Sequence, residues 1–417
     1  MTPTSPPITV PGDKSIAHRA LILAALARGA SRLRNVPAGL DVRSTQRALR
    51  ALGVAFADEG DALVVTGSGG ALIAPGEPID CGNSGTTIRL LAGALATRAL
   101  TVTLDGDASL RARPMRRIAA PLEAFGARIA LTKYGTAPFA VHGNGEAGGA
   151  DVEIVVPSAQ VKSAVLLAAL NARGRTTVTG QLATRDHTER LFRAFGIACE
   201  QSGGAIAIEG PQVPIACDLD VPGDVSSAAF LLAAAAVVPG ARAVVEDVGL
   251  NPTRTAFFDV LRRFGAQVDV VPAGFAAEPR GRVAVRGASL RAIVVEPAEV
   301  PGLIDELPLI GVIGAFARGT TVVTGASELR VKESDRIETF ARAARAIGVE
   351  VETFDDGFAV HGPARFHGGA VVTAGDHRIA MAFAVAARAA GVEVRLDDPD
   401  CMAVSFPGFA VALDRVA

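Results

Sequence analysis

The sequence predicts an α/β protein of two domains, assembled from six copies of one helix–strand–helix–strand unit. Three observations predict it. A length of 417 residues exceeds one ordinary domain. The chain is 49% hydrophobic but only 5% aromatic, and Ala, Gly, Val and Leu dominate, which suits tightly packed helix-on-sheet layers. The same order of elements also returns six times, opening at Gly12, Gly82, Ser158, Gly223, Asp305 and Gly375. A period of roughly 70 residues is longer than the ~20–50 of solenoids and favours compact subdomains.

Each copy opens on a polar cluster followed by an apolar helical run, then a strand, then an amphipathic helix ending in glycine, then one or two more strands. In the first copy Arg43 to Gly53 carries apolar residues at helical spacing and Ala62–Thr66 reads as a strand. The second copy has a strand from Thr101 and a helix over Met115 to Gly126. The third has a helix over His187 to Gly196 and the fourth one over Thr253 to Gly265. In the fifth the strand starts at Thr320 and the helix covers Arg336 to Gly348. The terminal glycines suit the left-handed cap position. Glycine-rich turns at Gly67 to Gly70, Gly143 to Gly149 and Gly203-Gly204 are expected to close their copies. The sixth copy is expected to be truncated after Cys401.

Composition excludes several function classes. The formal net charge of −2 argues against a broad basic field for nucleic acid, and one Tyr with no Trp leaves few stacking platforms. The longest apolar run, Ala228 to Val238, is too short to cross a membrane. Met-Thr-Pro-Thr-Ser-Pro-Pro at the start lacks the basic and apolar regions of a leader, so a cytoplasmic protein is expected. Cys81, Cys199, Cys217 and Cys401 show no paired spacing, and the six histidines are scattered. Neither a disulfide framework nor a metal site is expected.

Lysine usage points to a site. Of 41 basic residues only Lys14, Lys133, Lys162 and Lys332 are lysine. A coding bias toward arginine makes the surviving lysines informative, because arginine's flat fork cannot copy a compact ammonium. Lys14, Lys162 and Lys332 sit in polar clusters beside apolar helical runs and are active-site candidates; Lys133 reads as residual codon noise. The clusters put small and charged residues at helix starts, where free N–H groups and the dipole favour anions. Gly85 and Arg89 stand one turn apart, as do Ser15 and Arg19. A substrate with more than one phosphate or carboxylate follows.

Five motifs, in order along essentially the whole chain, carry a resemblance. They are Pro-Gly-Asp-Lys-Ser-Ile-Ala-His-Arg (Pro11 to Arg19), Gly-Asn-Ser-Gly-Thr-Thr-Ile-Arg (Gly82 to Arg89), Arg113-Pro114, Arg-Val-Lys-Glu-Ser-Asp-Arg (Arg330 to Arg336) and Gly-Asp-His-Arg (Gly375 to Arg378). Together they resemble the 5-enolpyruvylshikimate-3-phosphate synthase family. The resemblance implies a two-domain inside-out α/β barrel of six βαβαββ-type repeats. It implies an inserted domain over 13–222, with 1–12 and 223–417 forming the second. It further implies transfer of the carboxyvinyl group of phosphoenolpyruvate to the 5-hydroxyl of shikimate 3-phosphate, with release of phosphate. No metal or organic cofactor is implied. The small-molecule substrates are the expected partners, with no nucleic acid and no membrane, and a monomer and glyphosate target is expected.

Residue roles follow from the same resemblance. Lys14 would touch both substrates. Ser15, Arg19, Ser158, Ala159 and Gln160 would hold shikimate 3-phosphate, with Gln160 reaching phosphoenolpyruvate too. Gly85, Arg113, Arg336 and Arg378 would lie against phosphoenolpyruvate. Asp305 would be the base at the 5-hydroxyl and Glu333 the proton donor and acceptor at carbon. Lys332 would orient Asp305 and the acceptor, and Lys14 would neutralise the leaving phosphate. On their own, Asp305 and Glu306 would read as helix-start charges, and Lys332, Glu333 and Arg336 as a solvated helix face. Ala159 stands where many members have a second serine, and Arg185 is expected to supply the lost phosphate contact. Val404 replaces a lysine of many members. Either the phosphoenolpyruvate clamp is one cation short, or Lys162 compensates. Two rivals are the sister transferase acting on UDP-N-acetylglucosamine and a non-catalytic organic-anion-binding protein. The stretch Gly106 to Pro114 lacks the sister family's cysteine. A P-loop kinase lacks its glycine spacing before Lys14.

Overall fold

A helix start leaves N–H groups without partners, and five of the six polar clusters supply one from their own sequence. Asp13 accepts from the Ile16 N–H, Ser84 from Thr87, Ser158 from Val161, Asp224 from Ser226 and Asp376 from Arg378. The helices they open span Lys14–Leu26, Gly85–Ala96, Ala159–Ala169, Val225–Ala236 and His377–Ala390. The fifth opening helix, Leu307–Phe316, follows Glu306 without a side-chain cap bond. This modifies the expectation of open anion-binding helix ends. One first-turn N–H is already taken in each capped case, and three of the caps are aspartates.

These features belong to a computed structural model that describes residues 7–275 and 277–416. The first six residues, on which the reading of a missing leader largely rests, lie outside the described residues. Gly12–Val221 form one compact unit, and the chain before Gly12 together with the chain from Pro222 forms the other.

The opening helices are apolar on all sides, so they can only sit in an interior. Every residue from Ile16 to Leu26 is buried, as is every residue of Val225–Ala236. Small side chains allow close crossing. A methyl on Gly93 would stand 2.2 Å from the Ala164 carbonyl oxygen, so Gly85–Ala96 and Ala159–Ala169 meet backbone to backbone. The second helices, Leu40–Ala51, Arg116–Glu123, His187–Ala194, Ala256–Phe264 and Arg336–Arg345, are amphipathic as the periodicity predicts. Each is followed by a glycine at positive φ, between 73° and 114°.

The sheets share one pattern. In the second copy Ile79–Asp80 runs parallel to Thr101–Asp105, which pairs antiparallel with Phe139–His142, and Arg128–Ala130 completes the sheet. The third and fifth copies repeat it with Asp151–Ile154 and Val294–Val295 as the parallel strand. The first and fourth copies exchange this strand. Leu219–Asp220, from the end of the Gly12–Val221 unit, pairs parallel with Ala30–Arg34. Ile8, at the start of the chain, bridges Val245 in the strand Arg242–Gly249. The two chain passages between units therefore complete one sheet in each.

Two expectations need correction. Gly203 and Gly204 do not close the third copy. Both have positive φ and turn the hairpin between Glu200–Ser202 and Ala205–Gly210, because a two-residue hairpin needs that conformation. The sixth copy continues past Cys401. It keeps a short second helix, Phe409–Asp414, whose Phe409 ring meets Phe230 edge-on at 5.8 Å.

Candidate active site

In the Gly12–Val221 unit, Ser15 and Arg19 face one way because they are one turn apart on the first opening helix. The buried Arg19 guanidinium donates to the Ser15 carbonyl, to Ser163 Oγ and to Thr188 Oγ1, each at 2.8 Å. Arg185 Nη1 reaches Ser15 Oγ at 3.3 Å. Ser158 accepts its cap bond, which leaves its O–H as a donor, and Ala159 begins the helix beside it. Ser15, Arg19, Arg185 and the Ser163–Thr188 hydroxyl pair thus form one polar cluster that offers donors to an anion.

A second cluster surrounds Gly85. A methyl at Gly85 would stand 2.9 Å from Arg89 Nη1 and 3.1 Å from Arg113 Nη1, so two guanidinium groups lie over this glycine. Arg113 is fixed by Asn83 and Ser109. Arg89 donates to Gln160 Oε1 at 2.6 Å and to the Pro114 carbonyl at 3.2 Å, while Gln160 donates to Thr86. Lys14 Nζ pairs with Asp41 at 2.8 Å. Beneath these groups runs a buried chain, His18 Nδ1 to Thr45 to Thr87 to Ser84, in steps of 2.7 Å. Burial lowers the His18 pKa to about 3, so the ring is neutral and serves as a hydrogen-bonding strut.

In the other unit, Arg336 is the hub. It is buried among three carboxylates: Asp376 at 2.8 Å, Glu333 at 2.5 Å and Asp305 at 3.4 Å. Burial works against its charge, but Asp376, Glu333 and Asp305 outweigh burial and raise its pKa above the usual arginine range. Arg378 approaches the same Asp305 carboxylate at 3.5 Å and donates to its carbonyl. Glu306 takes a hydrogen bond from Ser226 and lies 3.8 Å from Arg378. Burial lowers the Lys332 pKa, and the attraction of Asp305 only partly offsets it. Carboxylates and the arginines that hold them are therefore gathered in one network, whose parts come from the fifth opening, the 330–336 motif and the sixth opening.

Arg19, Arg185 and Ser15 are joined by hydrogen bonds in one unit, Gly85 lies under Arg89 and Arg113 in the same unit, and Asp305, Glu333 and Arg378 gather around Arg336 in the other. Lys162 is the exception among the lysine candidates. Its ammonium is buried against Glu189 at 2.7 Å, both side chains being 2% exposed, and it also donates to the carbonyls of Leu182 and Thr184. Its charge is taken up by Glu189 within this unit. Sequence reasoning passed over Arg89, Asp41 and Asp376 as partners, although Arg89 and Asp376 lay inside quoted motifs. Lys133 is exposed beside Tyr134. The thiols are not activated. Burial pushes Cys199 up to about 11 and Cys401 up to about 12, and Cys81 further still.

The comparisons with known proteins bear on this geometry. A family model described as EPSP synthase (3-phosphoshikimate 1-carboxyvinyltransferase) matches residues 2–413. The chain belongs to the EPSP synthase family. It is 48% identical to a 3-phosphoshikimate 1-carboxyvinyltransferase of Akkermansia muciniphila, over 96% of this chain and 95% of that one. It is 46% identical to another from Halorhodospira halophila, over 98% and 92%. Among solved structures, EPSP synthase from Acinetobacter baumannii matches with a TM-score of 0.85 at 38% identity, covering 99% of this chain and 95% of that one. An enolpyruvyl transferase from Streptomyces tendae matches with a TM-score of 0.77 at 18% identity, which speaks to the fold alone. The fold is the two-domain inside-out α/β fold of these families.

Proposed function

We propose that this family member transfers the carboxyvinyl group of phosphoenolpyruvate to the 5-hydroxyl of shikimate 3-phosphate. The observation that carries the reading is the Asp305 carboxylate, held by Arg336 and Arg378 with Lys332 close enough to attract it. An anion-binding module needs cations but has no use for a base set among them. In the reaction the 5-oxygen bonds to C2 of phosphoenolpyruvate, Asp305 takes the hydroxyl proton, and Glu333 delivers a proton to C3. The tetrahedral adduct then breaks its C2–O bond to phosphate, C3 returns its proton to Glu333, and the hydroxyl proton held by Asp305 leaves with the phosphate or to solvent. Cationic character developing at C2 is stabilised by the nearby carboxylates.

Ser15, Arg19, Ser158, Ala159, Gln160 and Arg185 serve shikimate 3-phosphate in this reading. Gly85, Arg89, Arg113, Arg336 and Arg378 serve phosphoenolpyruvate, because fixed forks suit its phosphate and carboxylate. Lys14, steadied by Asp41, serves both and neutralises the departing phosphate. A cytoplasmic monomer and glyphosate as a competitor belong to the same proposal. Among the described residues no helix is long and apolar enough to cross a membrane. The reading predicts phosphate release from phosphoenolpyruvate on mixing with shikimate 3-phosphate. Release with UDP-N-acetylglucosamine instead, or with neither acceptor, would overturn it.

A further inference from the structure

The buried Lys162–Glu189 pair has no part in the reaction as derived, yet it is retained at a cost. Two charges are removed from water, and Glu189 Oε2 has no hydrogen-bond partner among the described residues. A buried pair of this kind contributes little net stability compared with apolar side chains of similar volume. Its surroundings suggest what it does instead. Lys162 Nζ donates to the carbonyls of Leu182 and Thr184, which lie on the N-terminal side of Arg185. Glu189 anchors the other side, in the first turn of His187–Ala194, next to Thr188, whose hydroxyl holds Arg19 and Ser163. One ammonium and one carboxylate therefore tie down both flanks of a single arginine, and that arginine reaches Ser15.

We propose that Lys162 and Glu189 are positioning residues that fix Arg185 against Ser15 and so build the phosphate subsite for shikimate 3-phosphate. The inference rests on the reading of Arg185 as a phosphate ligand. The chemistry supports the division of labour. Arg185 sits in a loop between strand and helix, where an arginine side chain has many rotamers to lose on binding. A brace that removes loop freedom before the ligand arrives lowers that cost. It leaves Arg89 and Arg113 aside, because these are held by other partners.

The test uses the full chain carrying Lys162→Met and Glu189→Gln together, which removes both charges at similar volume, and reads ligand affinity by titration calorimetry. The dissociation constant of shikimate 3-phosphate is expected to rise about tenfold, while that of shikimate, which lacks the phosphate, shifts less than about twofold. Arg185→Ala should produce a loss at least as large, and adding the pair substitution to it should produce no further loss. Glu189→Asp, which keeps both charges and only loosens the brace, should shift the same constant in the same direction by a smaller factor and serves if the double variant does not fold. Equal losses for both ligands, or losses that add to that of Arg185→Ala, would overturn the positioning role while leaving Arg185 as a ligand. A normal constant for Arg185→Ala would overturn the phosphate assignment itself.

Discussion

The two units handle charge in opposite ways. In Gly12–Val221 the arginines of the clusters make hydrogen bonds to neutral groups: Arg19 to hydroxyls and a carbonyl, Arg89 to an amide and a carbonyl, Arg113 to an amide and a hydroxyl. In the other unit the two arginines of the cluster meet carboxylates, Arg336 touching three and Arg378 approaching Asp305 and Glu306. A hydrogen bond to a neutral acceptor orients a guanidinium without neutralising it. A guanidinium among carboxylates is partly neutralised, but it holds those carboxylates in place where protons must move. Under the proposed function, the difference assigns binding to one unit and both binding and proton transfer to the other.

The comparison breaks most visibly at Asp305. Asp305→Asn keeps the shape and loses the base, so turnover should fall at least ~100-fold, the scale of general-base loss. Affinity for shikimate 3-phosphate should change far less. Steady-state phosphate release and calorimetry check both, and near-normal turnover would move the chemistry away from this unit.

The neutral character of the first unit can be tested through its pH dependence. The folded-state pKa of His18, about 3, lies below its ordinary value of 6.5. Between those limits the unfolded chain binds the extra proton. The contribution of His18 is therefore fully present above pH 6.5 and is lost as pH falls through that window, at ~1.4 kcal/mol per pH unit. His18→Asn cannot titrate and should remove that part of the slope. Urea melts at several pH values between 4 and 6.5 compare the two proteins, and equal slopes would show that His18 is not held neutral by burial.

Gly85→Ala sharpens the picture of two guanidinium groups over one glycine. The added methyl would press on Arg89 and Arg113, and glyphosate is longer than phosphoenolpyruvate. The ratio of the glyphosate inhibition constant to the Michaelis constant of phosphoenolpyruvate should rise ~10-fold or more, a difference of ~1.4 kcal/mol. A level ratio would place phosphoenolpyruvate elsewhere. The smallest effect is expected for the cysteines. Replacing Cys81, Cys199, Cys217 and Cys401 by Ala or Ser should leave turnover within ~3-fold, or ~0.7 kcal/mol, if the protein folds. A folded but inactive Cys81 variant would bring thiol chemistry back.

Much of this was legible in the sequence. The second helices showed themselves because one buried face imposes a period of 3.6 residues, and each ended at a glycine with positive φ. The opening helices showed no period, being buried all round, but the polar clusters before them marked where they begin. Asp305, Lys332, Glu333, Arg336 and Arg378 lie in three short motifs, and the structure gathers them around Arg336. Lys162 shows the limit. Its local sequence resembles those of Lys14 and Lys332, a lysine in a polar cluster beside an apolar helix. Lys14 and Lys332 are partly exposed, whereas Lys162 is buried against Glu189.

The sequence by itself determined the repeat, the helix starts and stops and the motifs that identify the family, because capping, glycine conformations and one-sided burial act over a few residues of chain. Only the tertiary structure decided which charge meets which. It paired Lys14 with Asp41, Arg89 with Gln160 and Lys162 with Glu189, and it completed the first sheet with Leu219–Asp220 rather than with the strand segment before the first opening helix. Those choices join residues on separate helices and strands. Their energy depends on distance and burial after packing, and neither quantity exists until the core has formed.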